Sequence, residues 1–60
     1  MKYSVYVAIS SKTNKPYGYI DLGYTRIMLS VQQVADLCRK PVYELVEITE
    51  KTKVCDLQVA

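Results

Sequence analysis

No histidine occurs among the 60 residues. The common nucleophile–base pairs, Ser-His and Cys-His, are therefore unavailable. Paired carboxylates are the remaining route to acid–base chemistry, and they must converge on one point. Glu44 and Glu47 point to opposite faces of a strand. They share a face only on a helix, where a solvated surface pair is the ordinary outcome. Gly18 and Gly23 are too isolated to form a phosphate-cradling loop. The expectation is a protein that is not an enzyme and carries no cofactor.

Cysteine is scarce as well. Cys38 and Cys55 allow one bridge at most, whereas a secreted disulfide scaffold of this size is normally cysteine-dense. Cys38 falls in a predicted helix and Cys55 in a predicted strand, each among apolar neighbours. They read as two reduced, buried thiols acting as small hydrophobes, with a disulfide as the alternative. A structural zinc site needs a full set of nitrogen and sulfur ligands, which two isolated cysteines without histidine do not supply.

Long apolar runs are absent, and none approaches the ~20 residues of a membrane helix. The start, Met1-Lys2-Tyr3-Ser4-Val5, alternates polar and apolar residues, unlike the continuous apolar stretch of a signal peptide. The chain reads as soluble and cytoplasmic. Neither charge sign dominates: eight basic and six acidic residues leave a net charge of +2. That is too mild to imply nucleic acid, and too poor in carboxylates for a DNA mimic.

What is present fits a single small domain. A chain this short buries only about 60% of its unfolded surface. Such scaffolds usually gain support from disulfides, metal or self-association. With the first two disfavoured, a homodimer is expected.

Residues 2–10 alternate cleanly. Tyr3, Val5, Val7 and Ile9 take one face; Lys2, Ser4, Tyr6, Ala8 and Ser10 take the other, which is the pattern of a half-buried strand. Residues 11–16 form a polar break with Asn14 and Pro16, suited to a hairpin loop. From Tyr17 the alternation resumes, with Gly18, Ile20 and Leu22 opposite Tyr17, Tyr19 and Asp21. Beyond Gly23 the parity changes, since Ile27 and Leu29 are odd-numbered. A turn or a glycine bulge must absorb the shift. The turn is preferred, giving strands near 17–22 and 25–29.

Ser30-Val31-Gln32-Gln33 has the form of a capping box. Val31, Val34, Ala35 and Cys38 follow at helical spacing, with Leu37 widening the stripe. Arg39 and Lys40 suit the negative end of the helix dipole, and Pro41 ends the helix. Residues 42–48 fit either element: Val42, Val46 and Ile48 align on a strand, Val42, Leu45 and Val46 on a helix. β-branched content favours the strand. After a turn at 49–52, Cys55, Leu57 and Val59 alternate in a final, edge-type strand. The expected fold is α+β: a small antiparallel sheet with one helix packed on one face, in the order β-β-β-α-β-β.

Six tyrosines and no phenylalanine stand out. Tyr3 shares a face with Val5, Val7 and Ile9 and suits the rim of the core. Tyr6, Tyr17 and Tyr19 point the other way. If the first two strands pair, these three cluster on the face away from the helix, with Lys12 and Lys15 in the adjoining loop. Rigid aromatic anchors suit protein contact, and they also suit stacking of unpaired bases. Asp21 lies on the same face and opposes the second use. Solvated amphipathic side chains would produce the same pattern with no binding role. A helix-turn-helix over residues 31–48 is a further nucleic-acid reading, but Glu44 and Glu47 on its second helix would repel phosphates.

The succession "KPY…DLGY…LS" within "SKTNKPYGYIDLGYTRIMLS", followed by "VADL" and "PVYEL", resembles small uncharacterised proteins carried by phages and mobile elements of Gram-positive bacteria. The likeness spans residues 10–45. That pattern carries a glycine where this chain has Asn14, and another after the helix where it has Arg39 or Lys40. The resemblance implies a short phage protein that binds a host or phage protein as an inhibitor or modulator. The expected function is thus protein binding through Tyr6, Tyr17, Tyr19, Lys12 and Lys15. A single-stranded nucleic-acid binder using the same face and a self-associating structural component are the alternatives.

Overall fold

The computed structural model describes residues 2–58. Along the chain run β1 (Lys2–Ile9), β2 (Pro16–Asp21), β3 (Arg26–Leu29), α1 (Val31–Cys38), α2 (Val42–Val46) and β4 (Thr52–Gln58). The four strands form one antiparallel sheet in the order β3-β2-β1-β4. Both helices pack on one of its faces, so the α+β class and the helix-covered antiparallel sheet are as expected. Among the described residues, no helix is long and apolar enough to cross a membrane. Val59, assigned to the last strand from its alternation, lies outside the described residues.

The hairpin loop after β1 closes as its composition suggests. Ser10 donates its N–H to the Lys15 carbonyl at 3.0 Å, and Asn14 donates to the Ser10 carbonyl at 2.8 Å. Asn14 holds φ 58°, a left-handed conformation that a short polar side chain tolerates. Pro16 opens β2 without cost to the ladder. The alternation of an antiparallel strand turns its missing donor toward the β3 side, where β3 has already ended at Leu29.

Gly23 marks a turn, not a bulge. It sits at φ 90° and donates its N–H to Asp21 Oδ1 at 2.8 Å. Leu22 donates to the Thr25 carbonyl at 2.9 Å. The reversal pairs Ile20 with Ile27 and Gly18 with Leu29. An even-numbered inward set on β2 therefore meets an odd-numbered one on β3.

The capping box predicted at α1 is present. Ser30 Oγ accepts from the Gln33 N–H at 3.1 Å, and Gln33 Oε1 accepts from the Ser30 N–H at 2.9 Å. Val34 and Ala35 are buried, while Leu37 remains 45% exposed, so the apolar stripe is narrower than the sequence suggests. The helix stops at Cys38, before Arg39 and Lys40. Arg39 adopts φ 53°, and that left-handed step lets Lys40 donate to the Ala35 carbonyl at 3.0 Å. Among the described residues, Asn14 and Arg39 are the non-glycine residues at positive φ.

Two expectations are corrected. Residues 42–46 form the short helix α2 and not a strand, so the order is β-β-β-α-α-β. Tertiary burial overrides local β preference here. The helical turn sends Leu45 into the core at 3% exposure, with Val42 and Ile48 packed beside it, and leaves Val46 half-exposed. A strand would have spent Leu45 on the solvent side. Second, Cys38 and Cys55 are joined in a disulfide with a Cα–Cα distance of 5.8 Å, so they are not free thiols. The bridge ties the end of α1 to β4 across a separation of 17 residues. Closing a loop of that length stabilises a fold by about 3 kcal/mol through the unfolded chain. Sequence spacing could not show that the two Cα atoms meet.

Val5, Val7, Val34, Ala35 and Leu45 make the centre of the core. α1 approaches the backbone of β2 closely at Gly18. A Cβ built there would collide with Cγ2 of Val34. Glycine inside a strand marks such a close approach.

Gly18→Ala is expected to lower the unfolding free energy by about 1–3 kcal/mol through overpacking against Val34. In a denaturant-unfolding cycle, Gly18→Ala combined with Val34→Ala should cost less than the sum of the two single changes, because the second removes the obstructing methyl. Arg39→Gly is expected to raise the unfolding free energy by up to about 1 kcal/mol by relieving the left-handed backbone. A lower midpoint for that variant would contradict the reading of the helix end.

Candidate protein-binding face

The sheet face away from the helices is built by the even–odd register of its strands. Tyr6 lies opposite Tyr19 on β2, and Tyr19 lies opposite Met28 on β3. Tyr17 is two residues from Tyr19 and shares its side. The three tyrosines expected to cluster do so. The rings of Tyr6 and Tyr19 stack with centroids 5.3 Å apart and planes 18° apart, and the rings of Tyr17 and Tyr19 meet at 6.1 Å.

A cation closes each end of this stack. The Arg26 guanidinium sits 4.6 Å from the Tyr19 centroid, and the Lys51 ammonium 4.8 Å from that of Tyr6. Strand order puts Arg26 on the β3 side of Tyr19 and Lys51 on the β4 side of Tyr6. The row therefore reads Arg26, Tyr19, Tyr6, Lys51 across the sheet. Each such contact is worth roughly 0.5–1 kcal/mol at an exposed site.

The consequence for Tyr19 differs from expectation. It is 1% exposed, although it lies on the face without a helix. Its ring is the centre of the aromatic row, in contact with both Tyr6 and Tyr17. Its hydroxyl is buried and finds no hydrogen-bond partner among the described residues. Tyr6 and Tyr17 are partly exposed.

Lys12 and Lys15 project from the hairpin loop, both exposed. They line an open groove of about 510 Å³ together with Ser10, Pro16, Tyr17 and Met28. Tyr17 joins this groove to the aromatic row. Met28, which the site reading omitted, contributes a 61% exposed thioether side chain. Its outward position follows from the parity of Ile27 and Leu29, so the signal was in the sequence. Lys51 carries no such signal, because a turn residue has no face until the chain folds.

The β4 flank is neutralised. Between Val5 and Tyr6 the β1–β4 register slips, so that Val5 faces Cys55 and Tyr6 faces Lys53. The extra residue, Val54, packs on the core together with Cys55. The slip also brings Lys53 and Asp56 to one side, where Lys53 Nζ meets Asp56 Oδ1 at 2.9 Å. Ser4 Oγ donates to the same carboxylate oxygen at 3.3 Å. The hydrogen bond from Lys53 holds the Asp56 carboxyl below its usual value, against some desolvation, and the same bond raises Lys53. This contribution exists above the ordinary carboxylate pKa and fades as pH falls through the lowered one.

Over the span of the helix-turn-helix alternative lie helices at 31–38 and 42–46, with Ala35 and Leu45 buried. The second is a single short turn and presents Glu44 to solvent. It offers no recognition helix. Comparison with protein-family models, curated proteins and solved structures finds no match.

Tyr19→Phe is expected to leave the fold as stable as the parent or to stabilise it by about 1 kcal/mol, since it removes a buried, unpaired hydroxyl. Tyr19→Ala should cost about 3–5 kcal/mol through the cavity it opens. Equilibrium unfolding measures both, and a destabilised Tyr19→Phe variant would show that the hydroxyl is engaged.

Proposed function

We propose that this chain is a non-enzymatic binding module that takes an acidic, apolar-tipped segment of another protein at the groove between the hairpin loop and β3. The observation that carries the reading is the arrangement of Tyr17 and Met28 beside Lys12 and Lys15 in one open groove. Aromatic and methionine side chains form the apolar centres of protein contacts, and charged side chains their rims. The buried Tyr19 ring packs against Tyr17 from the side, which lowers the entropic cost of holding it for a partner.

Base stacking is the weaker use of this surface. It needs open ring faces. The Tyr6 and Tyr19 rings cover one another on one side and are capped by Lys51 and Arg26 on the other. Tyr17 alone is left to stack, too little for tracking a strand of nucleotides.

The resemblance to short phage proteins supports a role as inhibitor or modulator of a larger host or phage protein. The Cys38–Cys55 bridge bears on where it acts. Disulfides persist in oxidising compartments and are rare in the cytosol, so the bridge favours an oxidising setting over the cytoplasmic one implied by free thiols.

The test is affinity capture from a bacterial lysate with the wild type, Tyr17→Ala, and Lys12→Glu combined with Lys15→Glu. One prey retained by the wild type should be lost from both variants, whose circular dichroism stays unchanged. Retention of every prey by both variants would overturn the site. Oligonucleotide binding that weakens steeply with salt would replace the protein partner with a nucleic acid.

A further inference from the structure

The two edges of the sheet differ in how they are guarded. Edge strands expose unpaired backbone donors and acceptors, and proteins blunt them with charge, proline or bulges. At one edge, β4 carries a bulge beside Val54 and the exposed Lys53 and Asp56. At the other edge β3 has none of these. Its four residues, Arg26-Ile27-Met28-Leu29, lack proline and run regularly against β2. Its lone charge, Arg26, is drawn over the Tyr19 ring. Ile27 is 47% exposed on the helix side and Met28 is 61% exposed on the tyrosine side.

The ladder decides which groups β3 leaves open. The Leu22–Thr25 bond makes that pair a hydrogen-bonded one. Alternation along the ladder then makes Ile20–Ile27 and Gly18–Leu29 hydrogen-bonded pairs too. Thr25, Ile27 and Leu29 thus direct their backbone groups inward to β2. Arg26 and Met28 direct both N–H and C=O outward.

We infer that a second copy of this chain pairs antiparallel with β3, through a two-fold axis at Ile27, to make one continuous sheet of eight strands. Three registers align outward groups with outward groups. Centring on Arg26 sets two guanidinium groups directly opposite each other. Centring on Met28 pairs Arg26 with Ser30, whose N–H is already taken by Gln33 Oε1. Centring on Ile27 pairs Arg26 of each chain with Met28 of the other. That register satisfies all outward donors and acceptors of both β3 strands. It also keeps the two arginines diagonally apart, each over its own tyrosine. The two Ile27 side chains meet on the axis, at a non-hydrogen-bonded position where side chains approach most closely. Charge and hydrogen bonding select the same arrangement, and like surfaces on both partners satisfy the requirement of a two-fold interface.

A four-residue edge makes a small interface, so association falls among weak complexes, with a Kd on the order of 100 µM. Sedimentation equilibrium from about 10 µM to about 1 mM spans that range. The weight-average mass of the wild type should rise across it from near the monomer value to about 1.8 times that value. Met28→Pro removes an outward N–H while sparing the β2–β3 bonds, and Ile27→Lys places two ammonium groups on the axis. Both variants should stay monomeric throughout, with unchanged circular dichroism. If Met28→Pro fails to fold, Ile27→Lys decides alone. A wild type that remains monomeric at every concentration, or a dimer that survives Ile27→Lys, overturns the inference.

Discussion

The contact of Val34 with Gly18 is the constraint from which the rest of the molecule follows. It is the point where a helix rests directly on strand backbone, with no Cβ between them. That closeness seals Val5 and Val7 completely and sets the height of α1 above the sheet. The height in turn brings Cys38, at the end of α1, within disulfide reach of Cys55 on β4. In so short a chain the apolar interior alone yields little net stability. One close helix–sheet contact and one covalent tie across the same layer supply what a larger core would otherwise provide.

The opposite face is organised by different physics. There, no helix excludes water, and burial comes from ring-on-ring stacking with cations at both ends of the row. Tyr19 becomes as buried as the core valines without any element covering it. The molecule therefore has an aliphatic core on one side of the sheet and a smaller aromatic one on the other. The aromatic row makes that side rigid. Rigidity is what a contact surface needs if binding is not to be spent on ordering side chains. The groove beside Tyr17 draws on the same support, with lysines on its loop side and a methionine on its strand side.

Both flanks of the sheet show how irregularity and regularity are used. The bulge in β4 turns Val54 and Cys55 together onto the core, and it places Lys53 beside Asp56 on the outside. A single extra residue thus serves packing, the disulfide and an outer ion pair at once. β3 keeps a regular ladder and an apolar surface. The sheet is consequently closed to further pairing on one side and open on the other.

Alternation in β1 and β2, the parity change at Gly23 and the Ser30–Gln33 capping box were enough to define the antiparallel sheet, the first hairpins and the start of α1. These are local features, set by side-chain period and by hydrogen bonds between near neighbours. They also placed Tyr6, Tyr17 and Tyr19 on one face, because a strand's two sides are decided by its own pattern. Residues 42–46 were not decided that way. Val42, Val46 and Ile48 fit a strand while Val42, Leu45 and Val46 fit a helix, β-branched content favoured the strand, and only the space beneath Leu45 selects the helix. The Cys38–Cys55 pairing, the burial of Tyr19 and the capping of the rings by Arg26 and Lys51 likewise depend on distances between segments far apart in the chain. Sequence carries periodicity within an element. Separation and enclosure arise only when the elements pack, and that is why the exposure of Tyr19 and the state of the cysteines were settled by the tertiary structure alone.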